Sequence, residues 1–235
     1  MSGAVRRLDA PLAARIGSAL APLPDVEILV IEPDDVAATH QTPQPAESAR
    51  RYPGAAPAAA PIRLLRAARG RGTQCNAGAN AATGEMLLFL HDDTELPDDA
   101  IAHIDHAFAD RRVGAACFRL RFDRTHWLLG LYAAGSRFES VFTTFGDQGL
   151  VFRRQVFDDL GGFPDWPLFE DVELARRARQ RSRIVKLPTA VVTSAVRFER
   201  NGMLRQQFLN ATLLARFLLG ANPEDLAERY ERGRG

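Results

Sequence analysis

The chain has 235 residues, 46% of them hydrophobic and 25% charged, which suits one globular domain with a sizeable core. Thirty basic residues against twenty-nine acidic ones nearly cancel, so no global charge favours nucleic acid or an anionic membrane. The basic set is almost entirely arginine, with Lys186 the only lysine, and no apolar stretch is long enough to read as a secretory signal or a bilayer span.

Taken in chain order, residues 11–21 predict a short helix and Val26–Ile31 a strand, ended by Glu32-Pro33-Asp34-Asp35. From 36 to 61 alanine and proline dominate, and proline removes backbone donors, so this segment reads as a long loop. Residues 73–83 are small and helical in character, Gly84 caps them, and Met86–Leu90 is an apolar run of strand length. Strand, loop, helix and strand in that rhythm predict a parallel α/β sheet.

A helix from Pro97 and Asp98 to about Ala109 would put Ile101, Ile104 and Phe108 on one face. The segment Ala115–Phe122 alternates, setting Phe118, Leu120 and Phe122 against Arg119 and Arg121, as a half-buried strand does. Phe145–Phe152 reads as a turn into a short strand, Arg154–Leu160 as a helix stopped by Gly161-Gly162, and Glu170–Gln180 as another helix. Two strands, near Ile184–Leu187 and Val191–Phe198, precede a helical end at 202–235. There Gly220 stops one helix, and Asn222-Pro223-Glu224 supplies cap, first-turn proline and first-turn acid for the last.

Four clusters are able to carry chemistry. His91-Asp92-Asp93-Thr94 follows the apolar run at once, at the carboxyl end of a parallel strand, where open α/β sheets place their ligands. Aspartate oxygens there suit Mg²⁺ or Mn²⁺ bridging to a diphosphate, or the acids merely seed the next helix. Glu170 and Asp171 open a helix, placed to accept a proton or simply to complement its dipole. The run RGRGTQCNAGAN offers backbone N–H groups with Arg69 or Arg71 for a phosphate, or else close helix–sheet packing by small residues. Arg197, Arg200 and Arg205 lie near a strand-to-helix passage, as counter-charges for a leaving diphosphate or as solvated surface. His103 and His106 lack a third ligand for zinc, and Cys75 and Cys117 form no metal spacing and fit a reducing cytoplasm.

In order and spacing, GRGTQCNAGANAATGEMLLFLHDDTELP, FGDQGLVFRRQVFDDLGGFPDWPLFEDVELARRARQRSRIV and TSAVRFERNGMLRQQFLNATLLARFLLG resemble a family 2 glycosyltransferase. More narrowly they resemble its small bacterial subgroup found beside radical-SAM proteins, over about residues 69–220. The resemblance implies a single GT-A-like α/β domain across 1–235, with a mostly parallel sheet, helices on both faces and a C-terminal helical extension. It implies metal-dependent, inverting transfer of a sugar from a nucleotide-diphosphate sugar to an acceptor hydroxyl.

Under that resemblance Asp93 is the ligand of a divalent cation, Mn²⁺ or Mg²⁺, and His91 replaces the usual first aspartate, with Asp92 between them. Asp171, in the Glu170-Asp171 pair, is the catalytic base. Arg71 and Asn76 hold the nucleotide, Gly146-Asp147-Gln148 forms the acceptor-side loop, and Arg197 and Arg200 approach the diphosphate. The family's P-x-x-N-E and D-x-x-S-x-D strand ends are missing, and Glu32, Asp34 and Asp35 stand nearest to the second. The alternatives are a GT-A-like binding module without activity and a nucleotidyltransferase of similar fold. The expected location is the cytoplasm, with the inner membrane face as a peripheral contact; an apolar face of Phe208, Leu209, Leu213 and Phe217 would serve either core packing or such contact.

Overall fold

The computed structural model describes residues 26–34, 62–196, 198 and 202–232. The predicted helix at 11–21, the loop at 36–61, Asp35, Arg197 and Arg200 lie outside them.

Two sheets are present among the described residues. The first is a parallel pair, β1 (Ile28–Asp34) and β2 (Ile62–Ala68), in register from Ile28 opposite Ile62 to Asp34 opposite Ala68. Helix α1 (Arg71–Ala81) packs on this pair. Its small residues permit a close approach: a Cβ on Gly78 would sit 3.3 Å from the Ile31 side chain. Gln74 Nε2 donates to the Ile31 carbonyl at 3.0 Å, and Arg63 donates to the Ala81 carbonyl at 3.2 Å.

The second sheet has five strands. In chain order they are β3 (Met86–Phe89), β4 (Thr94–Glu95), β5 (Val113–Phe122), β6 (Leu150–Arg153) and β7 (Arg183–Thr193), and in space the order is β3-β6-β5-β7-β4. Strands β3, β5 and β7 run in one direction, as the α/β rhythm predicts, with β5 and β7 paired in parallel. The sheet is nevertheless mixed, because β6 is inserted antiparallel between β3 and β5 and β4 returns antiparallel along β7. Strand β7 is also continuous through Pro188, where two separate strands are expected from the sequence. A bulge in its register against β5, between Cys117 and Arg119, takes up the irregularity.

Helices cover both faces. Ala115, Cys117, Leu150 and Phe152 point to one side, against Ala79 of α1, Phe157 of α4 (Arg154–Asp159), and Leu174 and Ala178 of α5 (Glu170–Arg181). Ala116, Phe118, Leu120, Val151, Leu187 and Val191 point to the other, against Ala100, Ile104 and Phe108 of α2 (Ala100–Phe108). The expectation of a half-buried β5 is therefore corrected: its first six residues are buried on both faces, and only Arg121 is fully exposed. Near-continuous apolar runs are what a strand covered on both sides requires.

Three further helices lie among the described residues: α3 (Trp127–Gly135), α6 (Met203–Leu218) and α7 (Pro223–Arg232). Leu213 of α6 is buried, and Phe217 stacks on Phe169 just before α5. Phe208, expected on the same face, is exposed.

Candidate active site

The site lies at the carboxyl end of β3, β5 and β7. Strand β3 delivers His91, and a turn closed by the Thr94 N–H donating to the His91 carbonyl at 3.1 Å holds Asp92 and Asp93. Because β6 runs the opposite way, the short 3-10 turn Gly146–Gln148 that feeds it arrives at the same end. Helix α5 starts there too, with Glu170 and Asp171 in its first turn.

Gly146 is where these segments meet. Its N–H donates to Asp171 Oδ2 at 2.5 Å, and a Cβ on it would stand 3.0 Å from that oxygen and 3.3 Å from His91 Nε2. The histidine and the aspartate thus press on one residue that has no side chain to interpose, although they are 80 positions apart. Asp171 Oδ1 also accepts from the Val172 N–H at 2.8 Å.

Glu170 is only 4% exposed, and its Oε2 has no hydrogen-bond partner. Burial, then the neighbouring Asp171 charge, pushes its carboxyl up to about 7, with Arg71 opposing. The Cys75 thiol, in the same pocket of α1, is pushed up to about 12 by burial and then by Glu170 and Asp171, so it is a protonated packing group rather than a nucleophile. Burial and then the Asp147 and Asp171 charges raise the phenol of Tyr132, on α3, well above its ordinary range. Its ring stacks on Phe145, with centroids 6.4 Å apart.

Not every residue singled out in the sequence faces this cleft. Arg71 is exposed at the first position of α1, near enough to Glu170 to act on its charge. Asn76 is different: Nδ2 donates to the Phe163 carbonyl at 2.8 Å and Oδ1 accepts from the Phe163 N–H at 2.9 Å. Both ends of its amide fasten the turn before α5, so it braces the approach to the site. Gln148 is likewise buried, with Nε2 donating to the Thr143 carbonyl at 2.8 Å and Oε1 accepting from Lys186. It secures the loop from within, while Asp147 beside it remains near Tyr132.

Asp92 is exposed and Asp93 half-buried, with Oδ1 accepting from Thr94 Oγ1 at 3.4 Å. Hard carboxylate oxygens suit Mg²⁺ or Mn²⁺. Among the described residues no group of three or more His, Cys, Asp or Glu side chains gathers to hold a metal. These acids fit a cation that takes its remaining oxygens from a diphosphate, the way Mg²⁺ is commonly held, and not a full protein cage.

Two contributors were not legible beforehand. Tyr132 belongs to a helix with no clear apolar period. Lys186 donates to the Thr143 carbonyl at 2.9 Å and to Gln148, pinning the loop from β7, and its being the chain's one lysine was the only sign in the sequence.

A mixed sheet sandwiched by helices, with acids at the end of β3 and at the start of α5, defines a GT-A-like glycosyltransferase fold. The chain belongs to glycosyl transferase family 2, whose family model matches residues 9–160. It is similar to the mannosyltransferase PcManGT from Pyrobaculum calidifontis, solved in complex with GDP-Man and Mn²⁺, at 25% identity and a TM-score of 0.53. That match covers 87% of this chain and 61% of the other. S. aureus TarS 1-349 is similar in fold at 14% identity and a TM-score of 0.55, over 85% of this chain and 61% of that one. This chain therefore spans about three fifths of either relative. No curated protein sequence matches it.

Proposed function

We propose that the protein transfers a glycosyl group from a nucleoside-diphosphate sugar to an acceptor hydroxyl, with inversion, and that Asp171 is the general base. The supporting observation is that His91 and Asp171 both crowd Gly146, within 3.3 Å of where its Cβ would stand. In this reading the Asp171 carboxylate takes the proton of the acceptor hydroxyl as its oxygen bonds to the anomeric carbon. The bond from that carbon to the diphosphate breaks, and the nucleoside diphosphate leaves with the electron pair.

The Gly146 N–H fixes the orientation of the Asp171 carboxylate and leaves lone pairs for the incoming proton. Asp93, with Asp92 beside it, would hold a divalent cation, which when bound offsets charge on the leaving diphosphate. Arg71 at the open end of α1, and Arg197 and Arg200 farther along the chain, are assigned to the same anion. His91 contributes an imidazole where a second carboxylate would add negative charge, which favours an anionic donor in the cleft.

GDP-mannose is the first donor to test, since PcManGT was solved with GDP-Man and Mn²⁺. The two free thiols suit a cytoplasmic setting. The three segments quoted from the sequence further support membership of the subgroup found beside radical-SAM proteins.

Calorimetry with GDP and UDP, with and without Mn²⁺, tests the reading. We expect metal-dependent binding of one nucleotide, abolished in Asp93→Ala and retained in Asp171→Asn. Donor turnover by Asp171→Asn should fall by about 10²–10⁴-fold, the usual contribution of a general base. Metal-dependent binding of neither nucleotide would leave a GT-A-like module without transferase chemistry.

A further inference from the structure

Helix α3 and the turn after it carry an apolar surface that the proposed chemistry does not use. Trp127 and Leu131, one helical turn apart, and Phe138 and Phe142, four residues apart, are each between 63% and 71% exposed. The inward side of the same helix is occupied by Leu129, which is buried, and Tyr132. Hydrogen bonds close the following turn on itself: the Phe138 N–H donates to the Gly135 carbonyl at 3.1 Å, and Thr143 Oγ1 donates back to the Phe138 carbonyl. The aromatic rings of this turn are therefore presented by an ordered frame.

Charge identifies the partner. Helix α3 itself, WLLGLYAAG, holds no charged residue. Arg121 and Arg124 precede it and Arg137 follows it, and all three are exposed. Of the two acids of this stretch, Glu139 is paired with Arg179 at 2.7 Å, and Asp123, exposed and accepting from the Ala195 N–H at 2.8 Å, offsets one of the three arginines, so the border stays net positive. An apolar centre with tryptophan and phenylalanine, bounded by arginines at both ends, matches a bilayer interface whose headgroups are negative. No helix among the described residues is long and apolar enough to cross a membrane, so the segment would lie in the surface rather than span it.

We propose that residues 121–142 dock the protein on an anionic lipid bilayer, with Trp127, Leu131, Phe138 and Phe142 entering the interface and Arg121, Arg124 and Arg137 meeting lipid phosphates. The same helix carries Tyr132, whose ring stacks on Phe145 next to Gly146, so docking holds the site close to the lipid headgroups. Docking is read without any sugar donor, and its failure is therefore distinct from failure of the transferase reading.

The chain has two tryptophans, and Trp166, half-buried, packs on Phe217, so Trp166→Phe leaves Trp127 as the one reporter. The full chain with this substitution is mixed with vesicles of phosphatidylcholine alone, or of phosphatidylcholine with phosphatidylglycerol, each with and without brominated acyl chains. The proposal expects a blue-shifted emission and bromine quenching with the anionic vesicles, both reduced by salt. Adding Phe138→Ser and Phe142→Ser should weaken vesicle binding about tenfold or more, and Arg137→Gln about fivefold. Unchanged Trp127 emission with both vesicles overturns the proposal, as does binding indifferent to the phenylalanine pair. A blue shift that depends on protein concentration and not on lipid would assign the face to a second copy of the chain and equally overturn it.

Discussion

The rings of Phe169 and Phe217 stack with centroids 4.9 Å apart and planes 29° from parallel, and Phe169 is the one non-glycine residue with positive φ among those described, at 64°. A left-handed backbone on a bulky residue costs on the order of 1–3 kcal/mol and survives only where the surroundings enforce it. The residue lies immediately before Glu170 and Asp171, so the contact from α6 sets how these acids leave the turn. Phe217→Ala should destabilise the protein by about 1–3 kcal/mol, which at this size lowers the melting midpoint by about 2–4 °C per kcal/mol. It should also slow donor turnover more than it weakens nucleotide binding. Scanning calorimetry, together with separate measurement of binding and turnover, checks both parts.

Crowding at Gly146 gives a second prediction. A methyl group there would come 3.0 Å from Asp171 Oδ2 and 3.3 Å from His91 Nε2, tighter than ordinary van der Waals contact. Gly146→Ala should reduce donor turnover at least about tenfold by forcing one of these side chains aside, while the melting midpoint moves little because the crowding atoms are side chains that can give. Equal turnover in variant and parent would mean that the close approach has no bearing on the chemistry.

Glu170 makes stability depend on pH. Its carboxyl titrates near 7 in the folded chain, raised by burial and by Asp171, and near 4.5 when exposed. The folded state therefore holds a proton that the unfolded state has released, and stability falls as pH rises from about 4.5 through about 7, levelling off above. Glu170→Gln removes this dependence, so its advantage over the parent should grow from pH 5 to pH 8. Denaturant midpoints across that range decide the matter; parallel curves for the two proteins would refute it.

Gly72 offers a prediction about stability alone. A Cβ there would approach the Pro164 carbonyl oxygen to 2.5 Å, and a backbone atom cannot swing away. Gly72→Ala should cost about 1–3 kcal/mol by separating α1 from the turn before α5, measurable as a lowered denaturant midpoint with an unchanged slope.

The parts of the fold that were readable from sequence are those whose pattern is local. The run Met86–Leu90 ending on His91-Asp92-Asp93, the acids opening α5, and the apolar spacing of α2 each carry their own period, although Ala100 takes the deeper place beside Ile104 and Phe108 and Ile101 lies at the rim. Strand β2 escaped because its IRLLRAA mixes arginine and alanine into the alternation, and its stability comes from pairing with β1. Helix α3 escaped because it is apolar nearly all round, which gives no face to detect. The reversal of β6 was invisible for another reason: a four-residue buried strand reads the same in either direction, and only its partners fix its sense.

At the site, acid positions were legible and amide roles were not. Asp171 opens α5 as the sequence indicates, whereas Asn76 and Gln148 are drawn into hydrogen bonds with Phe163 and with Thr143 and Lys186, residues 38 to 87 positions away or brought in by the loop's own fold. An amide has two donors and an acceptor to satisfy when buried, and which backbone group does so is decided by tertiary packing.

The solitary lysine has a practical meaning. Its amine is half-buried and occupied by the Thr143 carbonyl and the Gln148 side-chain amide oxygen, which lie on either side of Gly146 in the sequence. Acylating reagents will find no rival ε-amine elsewhere on the chain, so the speed at which Lys186 is modified clocks how often that segment lifts. The molecule thus comes with its own chemical stopwatch, readable by peptide mass spectrometry, which separates this amine from the chain's α-amine.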